Sequence, residues 1–259
     1  LCTYESDIEG DELPADGLTL VGILGIRDEV RPEAIEAIAE VQDAGVQIVM
    51  ITGDRRETAV AIAKDAGLLQ RPNELVWTSA ELAEMSDEQV KLELHKLRVV
   101  ARALPMDKSR LVRLAQEMNL VVGMTGDGVN DSPALKKADV GFAMGSGTEV
   151  AKEAGDIVIL DDNFLSIKQA ILYGRTIYNS ICKFIVFQLT INFSAVAINF
   201  IAPFIGIDKP LTITQILWIN LVMDTLAALA FGGEPALEKY LREKPKDRSA
   251  LPSLWAACI

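Results

Sequence analysis

Short apolar runs alternate with amphipathic segments along the first 160 residues of the chain. Apolar runs at 18–26, 46–51, 98–103, 120–124, 140–143 and 156–160 predict buried strands. Helical spacing of apolar residues predicts helices at 32–44, 55–66 and 107–118, with Gly45 and Gly67 as stops for the first two. The segment 70–96 is less regular, and 82–97 predicts a peripheral helix. This alternation favours an α/β fold with a parallel sheet covered on both faces.

The second half of the chain has a different pattern. Residues 184–207 are uncharged, and residues 211–233 contain one charge, Asp224, near the middle. Each run exceeds the roughly 20 residues that cross a bilayer core, and three residues separate them, so they predict a transmembrane helical hairpin. Lysines and arginines precede and follow this hairpin, which predicts that both ends and the soluble domain are cytoplasmic.

Composition and charge narrow the possible function classes. The 259 residues carry a formal net charge of -12, which argues against a nucleic-acid partner because phosphate binding needs a basic surface. Cys2, Cys182 and Cys258 lie far apart and predict free thiols in a reducing compartment. The first thirty residues show no secretory signal pattern. Because the chain opens on Leu1, we expect a fragment of a longer protein.

Polar residues follow most of the predicted strands, at the edge where a parallel sheet binds its ligands. They are Asp28, Thr52-Gly53-Asp54, Arg102 and the segment 125–131, with Lys108 opening the next helix. Carboxylates of this kind suit Mg²⁺, and a lysine can neutralise a transferred phosphoryl group. Simpler alternatives are a tight turn whose acids cap a helix, a helix cap at Asp28 and a solvated Lys108.

Three of these segments carry a family resemblance: Met-Ile-Thr-Gly-Asp at 50–54, Pro-Met-Asp-Lys at 105–108 and Thr-Gly-Asp-Gly-Val-Asn-Asp-Ser-Pro-Ala-Leu at 125–135. They resemble the signatures of the P-type ATPase phosphorylation domain, which has the Rossmann-like parallel sheet of the haloacid dehalogenase-like superfamily. Residues 25–32 are similar to the family's hinge motif, with Glu29 where proline is common. The resemblance runs from about residue 18 to about residue 248.

The resemblance implies roles for the residues at the sheet edge. Mg²⁺ would be held by Asp127 and Asp131, and Asn130 would help to position the phosphoryl group. The implied catalytic residues are Thr52, Gly53, Asp54, Lys108, Asp127, Asn130 and Asp131. The implied nucleotide-binding residues, with ATP as substrate, are Asp28, Arg31, Thr52, Gly53, Asp54, Arg102 and Lys108.

The hairpin contains a candidate ion site. An aspartate at a bilayer centre costs roughly 2.5–3.5 kcal/mol on insertion scales and is a functional hypothesis by default. Asn220 lies one turn before Asp224 on the same face, and Asn192 lies in the first span. Calcium takes six to eight oxygens, so further ligands must come from elsewhere. The alternative for Asn192 is an interhelical hydrogen bond.

Three hairpin segments, 178–184, 188–192 and 218–227, resemble the fifth and sixth membrane helices of calcium pumps, most closely the plasma-membrane, calmodulin-regulated type (type IIB). The reticulum type has oxygen ligands where this chain has Ala195 and Met223. The resemblance therefore implies a single Ca²⁺ site with Asn220 and Asp224 as ligands, joined by Asn192. Calmodulin, bound through a region outside this chain, is a further implied partner, and the implied location is the plasma membrane or an internal membrane such as the vacuole.

The resemblance also implies a division of the chain. Residues 1–17 would end a nucleotide-binding domain or form a linker, 18–162 the phosphorylation domain, 163–183 a stalk helix, and 184–207 and 211–233 the membrane helices. Residues 234–259 would be a cytoplasmic segment or a truncated next helix.

The family's Asp-Lys-Thr-Gly-Thr motif, which holds the phosphorylated aspartate, does not occur in the sequence. The chain is thus interpreted as a fragment of a calcium-transporting ATPase, or as a truncated protein that modulates a full-length pump. A membrane-tethered phosphatase is disfavoured by the missing nucleophile. We expect that the isolated chain neither forms a phosphoenzyme nor hydrolyses ATP.

Overall fold

The computed structural model describes residues 2–3, 19–22, 29–207 and 210–245, which divide into two units, Leu1–Arg31 and Pro32–Ile259. In the first unit, β1 (Cys2–Thr3) pairs antiparallel with β2 (Thr19–Leu20). The strand predicted at 18–26 is therefore seen at its start, where its partner is antiparallel rather than parallel. Residues 23–28, including Asp28, lie outside the described residues.

The second unit begins with short strands that alternate with helices, as the hydrophobic pattern predicts. In chain order they are α1 (Pro32–Asp43), β3 (Met50–Ile51), α2 (Arg56–Asp65), β4 (Leu75–Thr78), α3 (Ser79–Glu84), α4 (Asp87–Glu93), β5 (Leu97–Ala101), α5 (Pro105–Glu117), β6 (Gly123–Gly126), α6 (Ser132–Lys137), β7 (Val140–Met144), α7 (Glu149–Ala154) and β8 (Ile157–Ile159). The predicted helix stops are confirmed, since Gly45 and Gly67 have φ of 77° and 74°, values that glycine adopts at little cost.

The strands of this unit form two parallel sheets rather than the single sheet that the sequence predicts. Their orders are β3-β5-β4 and β6-β7-β8, and all four pairings are parallel. Within the described residues β3 and β6 each pair on one side only, so the ladder is interrupted between them. The parallel α/β class is confirmed.

Each sheet has its own apolar core. Under the first sheet Leu82, Val90, Leu97 and Leu114 are completely buried, and under the second Leu135 is completely buried beside Met124. Burial of such side chains contributes about 1.5–3 kcal/mol each, which is the main force holding helices against the strands.

The helix predicted at 82–97 is wrong, and the strand β4 was missed. Thr78 and Ser86 each cap a helix reciprocally with the residue three positions later, Glu81 and Gln89. These two capping boxes start α3 and α4 separately, because each satisfies backbone N–H groups that a continuous helix would bond internally. The completely buried Leu97 then opens β5, which pairs with β4.

A helix of 38 residues, α8 (Phe164–Ile201), contains both the predicted stalk and most of the first predicted span. It ends six residues before the predicted limit, in a 3-10 turn at Ala202–Ile205. The second span is α9 (Ile213–Gly232). By length and composition, these two helices in the described part of the chain are apolar enough to cross a membrane.

Contacts at the open end of the hairpin show that α8 and α9 run antiparallel. The Nζ atom of Lys183 lies 2.6 Å from a carboxylate oxygen of Glu234. One turn further along, the rings of Phe187 and Phe231 meet edge to face with centroids 6.0 Å apart. These two contacts fix which residues of the two helices lie at the same level.

Candidate functional site

Lys108 and Asp131 form an ion pair at the carboxyl ends of the strands. The side chains are 19% and 9% exposed, so the pair is largely shielded from water. Asp131 Oδ1 accepts from Lys108 Nζ, while Oδ2 accepts longer bonds from the amides of Asp127 (3.3 Å) and Gly128 (3.4 Å). Both oxygens of Asp131 are thus engaged, and the pair links the helix after β5 to the loop after β6.

The start of α5 places Lys108 at this edge. Pro105 occupies the first turn, and the buried Asp107 accepts a hydrogen bond from the Leu104 amide at 2.8 Å. Both features favour a helix start, since proline has no amide to satisfy and an acid complements the positive helix end. Lys108 therefore leaves the first turn of a helix that is fixed at its origin.

Gly126 at the end of β6 and Gly147 after β7 allow close packing around the backbone of residues 127–131. A Cβ at Gly126 would lie 2.4 Å from the Cβ of Asp131, and one at Gly147 would lie 2.8 Å from the Asp127 carbonyl oxygen. That carbonyl also accepts a hydrogen bond from the Thr148 amide at 2.8 Å. The backbone of Asp127 is thus held on both sides. Asp127 and Asn130 are nevertheless exposed to solvent.

The donor set around Asp127 fits Mg²⁺. Within the described residues no group of three or more histidine, cysteine or acidic side chains forms a closed metal cage. Mg²⁺ commonly binds through one or two carboxylates and takes phosphate and water as its other ligands. The exposed Asp127 meets that need. Asp131 is already bound to Lys108, so its assignment as a second ligand stays a prediction.

A second group of predicted residues gathers at the ends of β3 and β5. Thr52 Oγ1 donates to Asp54 Oδ2 at 2.8 Å and accepts from the Asp54 amide at 3.2 Å. The Arg102 amide donates to the Asp54 carbonyl, and the Ala103 amide to the Thr52 carbonyl, both at 2.9 Å. Arg102 has a φ of 50°, a left-handed conformation that costs about 1–2 kcal/mol for a residue with a Cβ. A Cβ added at Gly53 would have no other atom within 4 Å, so the space beside this residue is open.

The structure therefore brings the predicted residues together in two groups, Thr52–Asp54 with Arg102 and Lys108 with 127–131. The short segment 102–108 connects them, since it leaves β5 and opens α5. Arg31 is exposed and belongs to the first unit. What the sequence did not reveal is that Asp131 positions Lys108, because the two residues are 23 positions apart.

In the hairpin, the three predicted ion ligands, Asn192, Asn220 and Asp224, are all half-buried. The Oδ1 atom of Asp224 is buried and has no hydrogen-bond partner. A neighbouring hydroxyl behaves differently, since Thr225 Oγ1 donates to the Leu221 carbonyl of its own helix at 2.8 Å. Gln188, which is not among the predicted ligands, also has a buried, unpartnered oxygen. Its position four residues before Asn192 is the signal that would have found it.

Comparison with known proteins gives the class of protein to which the chain belongs. Residues 3–139 match the family model of haloacid dehalogenase-like hydrolases, and residues 208–254 match the model described as cation transporting ATPase, C-terminus. The chain belongs to the haloacid dehalogenase-like hydrolase family.

The relatives narrow the class further. Putative calcium-transporting ATPase 11, plasma membrane-type, of Arabidopsis thaliana is 44% identical over 96% of this chain and 25% of its own length. Plasma membrane calcium-transporting ATPase 1 of Mus musculus is 46% identical over 95% of this chain and 21% of its own length. The predicted resemblance to P-type calcium-transporting ATPases of the plasma-membrane type is confirmed, and the chain spans about a quarter of the length of such relatives.

A solved structure supports the same architecture. A zinc-transporting PIB-type ATPase in its E2.Pi state is similar with a TM-score of 0.54 and 30% identity, over 79% of this chain and 27% of that one.

Proposed function

We propose that this chain is part of an ATP-driven calcium pump and contains one edge of its phosphoryl-transfer site and two of its membrane helices. The observation that carries the proposal is the buried, unpartnered Oδ1 of Asp224 in an apolar helix. An unsatisfied charged oxygen in such a place costs several kcal/mol, and a bound cation would remove that cost. The names of the relatives supply calcium as the cation.

In the soluble part, the residues at the sheet edge would bind and orient a phosphoryl group. The Lys108 ammonium would pair with phosphoryl oxygens, and Asp131 holds it in place. The Thr52 hydroxyl and the Gly53 amide would add hydrogen bonds. When bound at Asp127, Mg²⁺ would neutralise charge on the phosphoryl oxygens. The phosphorylated aspartate would come from polypeptide outside this chain.

The helix α8 would couple the two sites. Its 38 residues span about 57 Å without a break, from the soluble part to the turn at Ala202–Ile205. Its first half packs on α1, where Lys168 forms an ion pair with Glu40. A change at the sheet edge that moves α1 would therefore move the face that carries Asn192. The basic residues around the hairpin support a cytoplasmic soluble part.

Two substitutions in the full polypeptide that contains this chain test the proposal. Asp224→Asn is expected to abolish Ca²⁺-dependent phosphorylation from ATP, because the charged ligand is lost. Asp127→Ala is expected to abolish Mg²⁺-dependent phosphorylation while equilibrium ⁴⁵Ca²⁺ binding is kept. Thr225→Val is the matched control, since its hydroxyl is exposed and bonded to its own helix.

Unchanged calcium dependence in Asp224→Asn would refute the ion-site assignment. Loss of ⁴⁵Ca²⁺ binding in Asp127→Ala would instead show that Asp127 is needed for folding rather than for phosphorylation. Phosphorylation is measured with γ-labelled ATP after acid quenching, and correct membrane insertion is checked by protease protection.

A further inference from the structure

Two buried side-chain oxygens lack a hydrogen-bond partner in the described part of the chain, Oδ1 of Asp224 and Oε1 of Gln188. A buried acceptor without a partner costs about 1–3 kcal/mol, so each needs an explanation. The proposed calcium site explains Asp224. Gln188 lies on the other helix of the hairpin and is not among the proposed ligands of that site.

One face of α9 is directed toward α8. Asn220, Asp224, Ala227 and Phe231 recur at the spacing of a single helical face. Phe231 packs on Phe187 of α8, and Ala227 is 8% exposed, so this face meets α8. Asp224 therefore lies on the side of α9 that faces the helix of Gln188.

The polar side chains in the membrane part of α8 differ in exposure according to the face of the helix on which they lie. Gln188 and Asn192, one turn apart, are half-buried, whereas Thr190 and Ser194 are exposed. The hydroxyls of Thr190 and Ser194 donate to the carbonyls four residues earlier, Val186 and Thr190, both at 2.8 Å. The exposed oxygens are thus satisfied by their own helix, while the sheltered oxygen of Gln188 is not.

The register of the hairpin gives the spacing. Lys183 is level with Glu234 and Phe187 with Phe231, so paired residue numbers sum to 417 or 418. By this sum Gln188 is level with residue 229 or 230, five or six residues and hence about 7.5–9 Å from Asp224 along the axis. Asn192 is level with residue 225 or 226, within about 3 Å of Asp224.

The axial offset between these two backbone positions is longer than one coordination shell spans. Calcium ligands lie about 2.3–2.6 Å from the ion, so two oxygens of one coordination shell are at most about 5 Å apart. Side chains also lean toward the start of their own helix, which tilts Gln188 and Asp224 away from each other in an antiparallel pair. Gln188 therefore belongs to a separate position.

We propose that the carboxamide oxygen of Gln188 is a second calcium subsite, a transient one, between the Asp224 site and the Lys183–Glu234 end of the hairpin. This inference rests on the proposed calcium transport. A neutral carboxamide is a hard oxygen ligand that binds Ca²⁺ more weakly than a carboxylate. It suits a position through which the ion passes on its way to or from Asp224.

The test measures calcium exchange in the full polypeptide that contains this chain, reconstituted in lipid nanodiscs without ATP and with excess Mg²⁺. Rapid filtration gives the rate of ⁴⁵Ca²⁺ release, and equilibrium dialysis gives the affinity. Gln188→Leu is expected to slow release about tenfold, with affinity changed less than about threefold, because a transient ligand lowers the barrier to passage and not the energy of the bound ion. Gln188→Asn keeps a carboxamide oxygen and is expected to release ⁴⁵Ca²⁺ faster than Gln188→Leu, and Thr190→Val is the matched control.

Release from Gln188→Leu at the rate of Thr190→Val would overturn the subsite. A tenfold loss of affinity in Gln188→Leu would also overturn it, since Gln188 would then belong to the Asp224 site itself. Asp224→Asn distinguishes the two proposals. If that variant binds ⁴⁵Ca²⁺ normally, or if the unmodified protein binds none, the proposed calcium function fails and the subsite fails with it.

Discussion

Arg175 joins three parts of the second unit, and its removal should detach one of them. From the first half of α8, its Nη1 donates to the carbonyls of Tyr240 (3.1 Å), Leu241 (2.7 Å) and Glu243 (2.6 Å). Its Nη2 donates to the Ala44 carbonyl at 2.9 Å, at the end of α1. We predict that Arg175→Met releases the segment 234–245 from α1 and α8.

The magnitude follows from the number of bonds. Nη1 has two hydrogens for three carbonyls, so at most three of the four contacts are strong at once. A hydrogen bond from a charged donor contributes about 1.5–3 kcal/mol, and three at the lower figure total about 4.5 kcal/mol. Burial of Arg175, which lowers its pKa against the opposing effect of Glu243, offsets part of this. The released carbonyls also regain water, which leaves about 3 kcal/mol of docking free energy.

Trypsin reports this local release, because the bonds after Lys239 and Arg242 lie within the held segment. When reclosing is faster than cleavage, the cleavage rate follows the population of the open form. A loss of about 3 kcal/mol then raises cleavage at these bonds about 100-fold in Arg175→Met, measured on the chain in nanodiscs by mass spectrometry.

Two variants separate this effect from a general loss of charge. Arg175→Lys keeps the charge but has one donor group, so it should give an intermediate rate. Lys168→Met removes the ion pair with Glu40, whose side chain is 39% exposed. A half-exposed pair contributes at most about 1 kcal/mol, so this variant should raise cleavage much less than Arg175→Met. Cleavage of Arg175→Met within about threefold of the unmodified chain would refute the reasoning, because the four contacts would then hold nothing.

Two further predictions concern the soluble part. Gly126→Ala should lower the free energy of unfolding by about 1–3 kcal/mol in denaturant titrations, because its Cβ would overlap Asp131. Gly53→Ala is the control, since a Cβ there has no other atom within 4 Å. Equal losses of stability in the two variants would refute the packing argument. Hydrogen bonds from Arg113 and a second arginine hold the pKa of Asp87 below its ordinary 3.8. That stabilisation is complete above pH 3.8 and disappears as pH falls through the lowered pKa, so Asp87→Asn should lower Tm near neutral pH and match the unmodified chain in strong acid. A Tm difference that grows in acid would contradict the assignment.

Under the proposed calcium transport, the hairpin and the sheet edge are two parts of one pump that α8 connects. A single helix, α8, leaves the soluble part near Arg175 and carries Gln188 and Asn192 into the hairpin. Because the helix is unbroken, a movement of its first half would be transmitted to the hairpin. The contacts of Arg175 then hold its first half against α1 and the segment that follows α9.

The local pattern of the sequence determined most of the elements and the class of the fold. Period and length distinguish strands from helices, and two long apolar runs are enough to define a hairpin. The polar residues at strand ends could be found because parallel strands all end at one edge. Asp54 with Arg102, and Lys108 with Asp131, do meet there. The boundaries were less accurate, since α8 joins the predicted stalk and span into one helix.

Only the tertiary structure decided which partners meet. The segment 82–97 looks helical by spacing, yet pairing of Leu97 with Leu75 makes its last residue the start of a strand. Lys108 finds Asp131, and Arg175 finds carbonyls more than 60 positions away, through contacts that no local period encodes. The unpartnered oxygen of Gln188 likewise follows from the packing of two helices, because burial is a property of the assembled pair and not of either sequence segment.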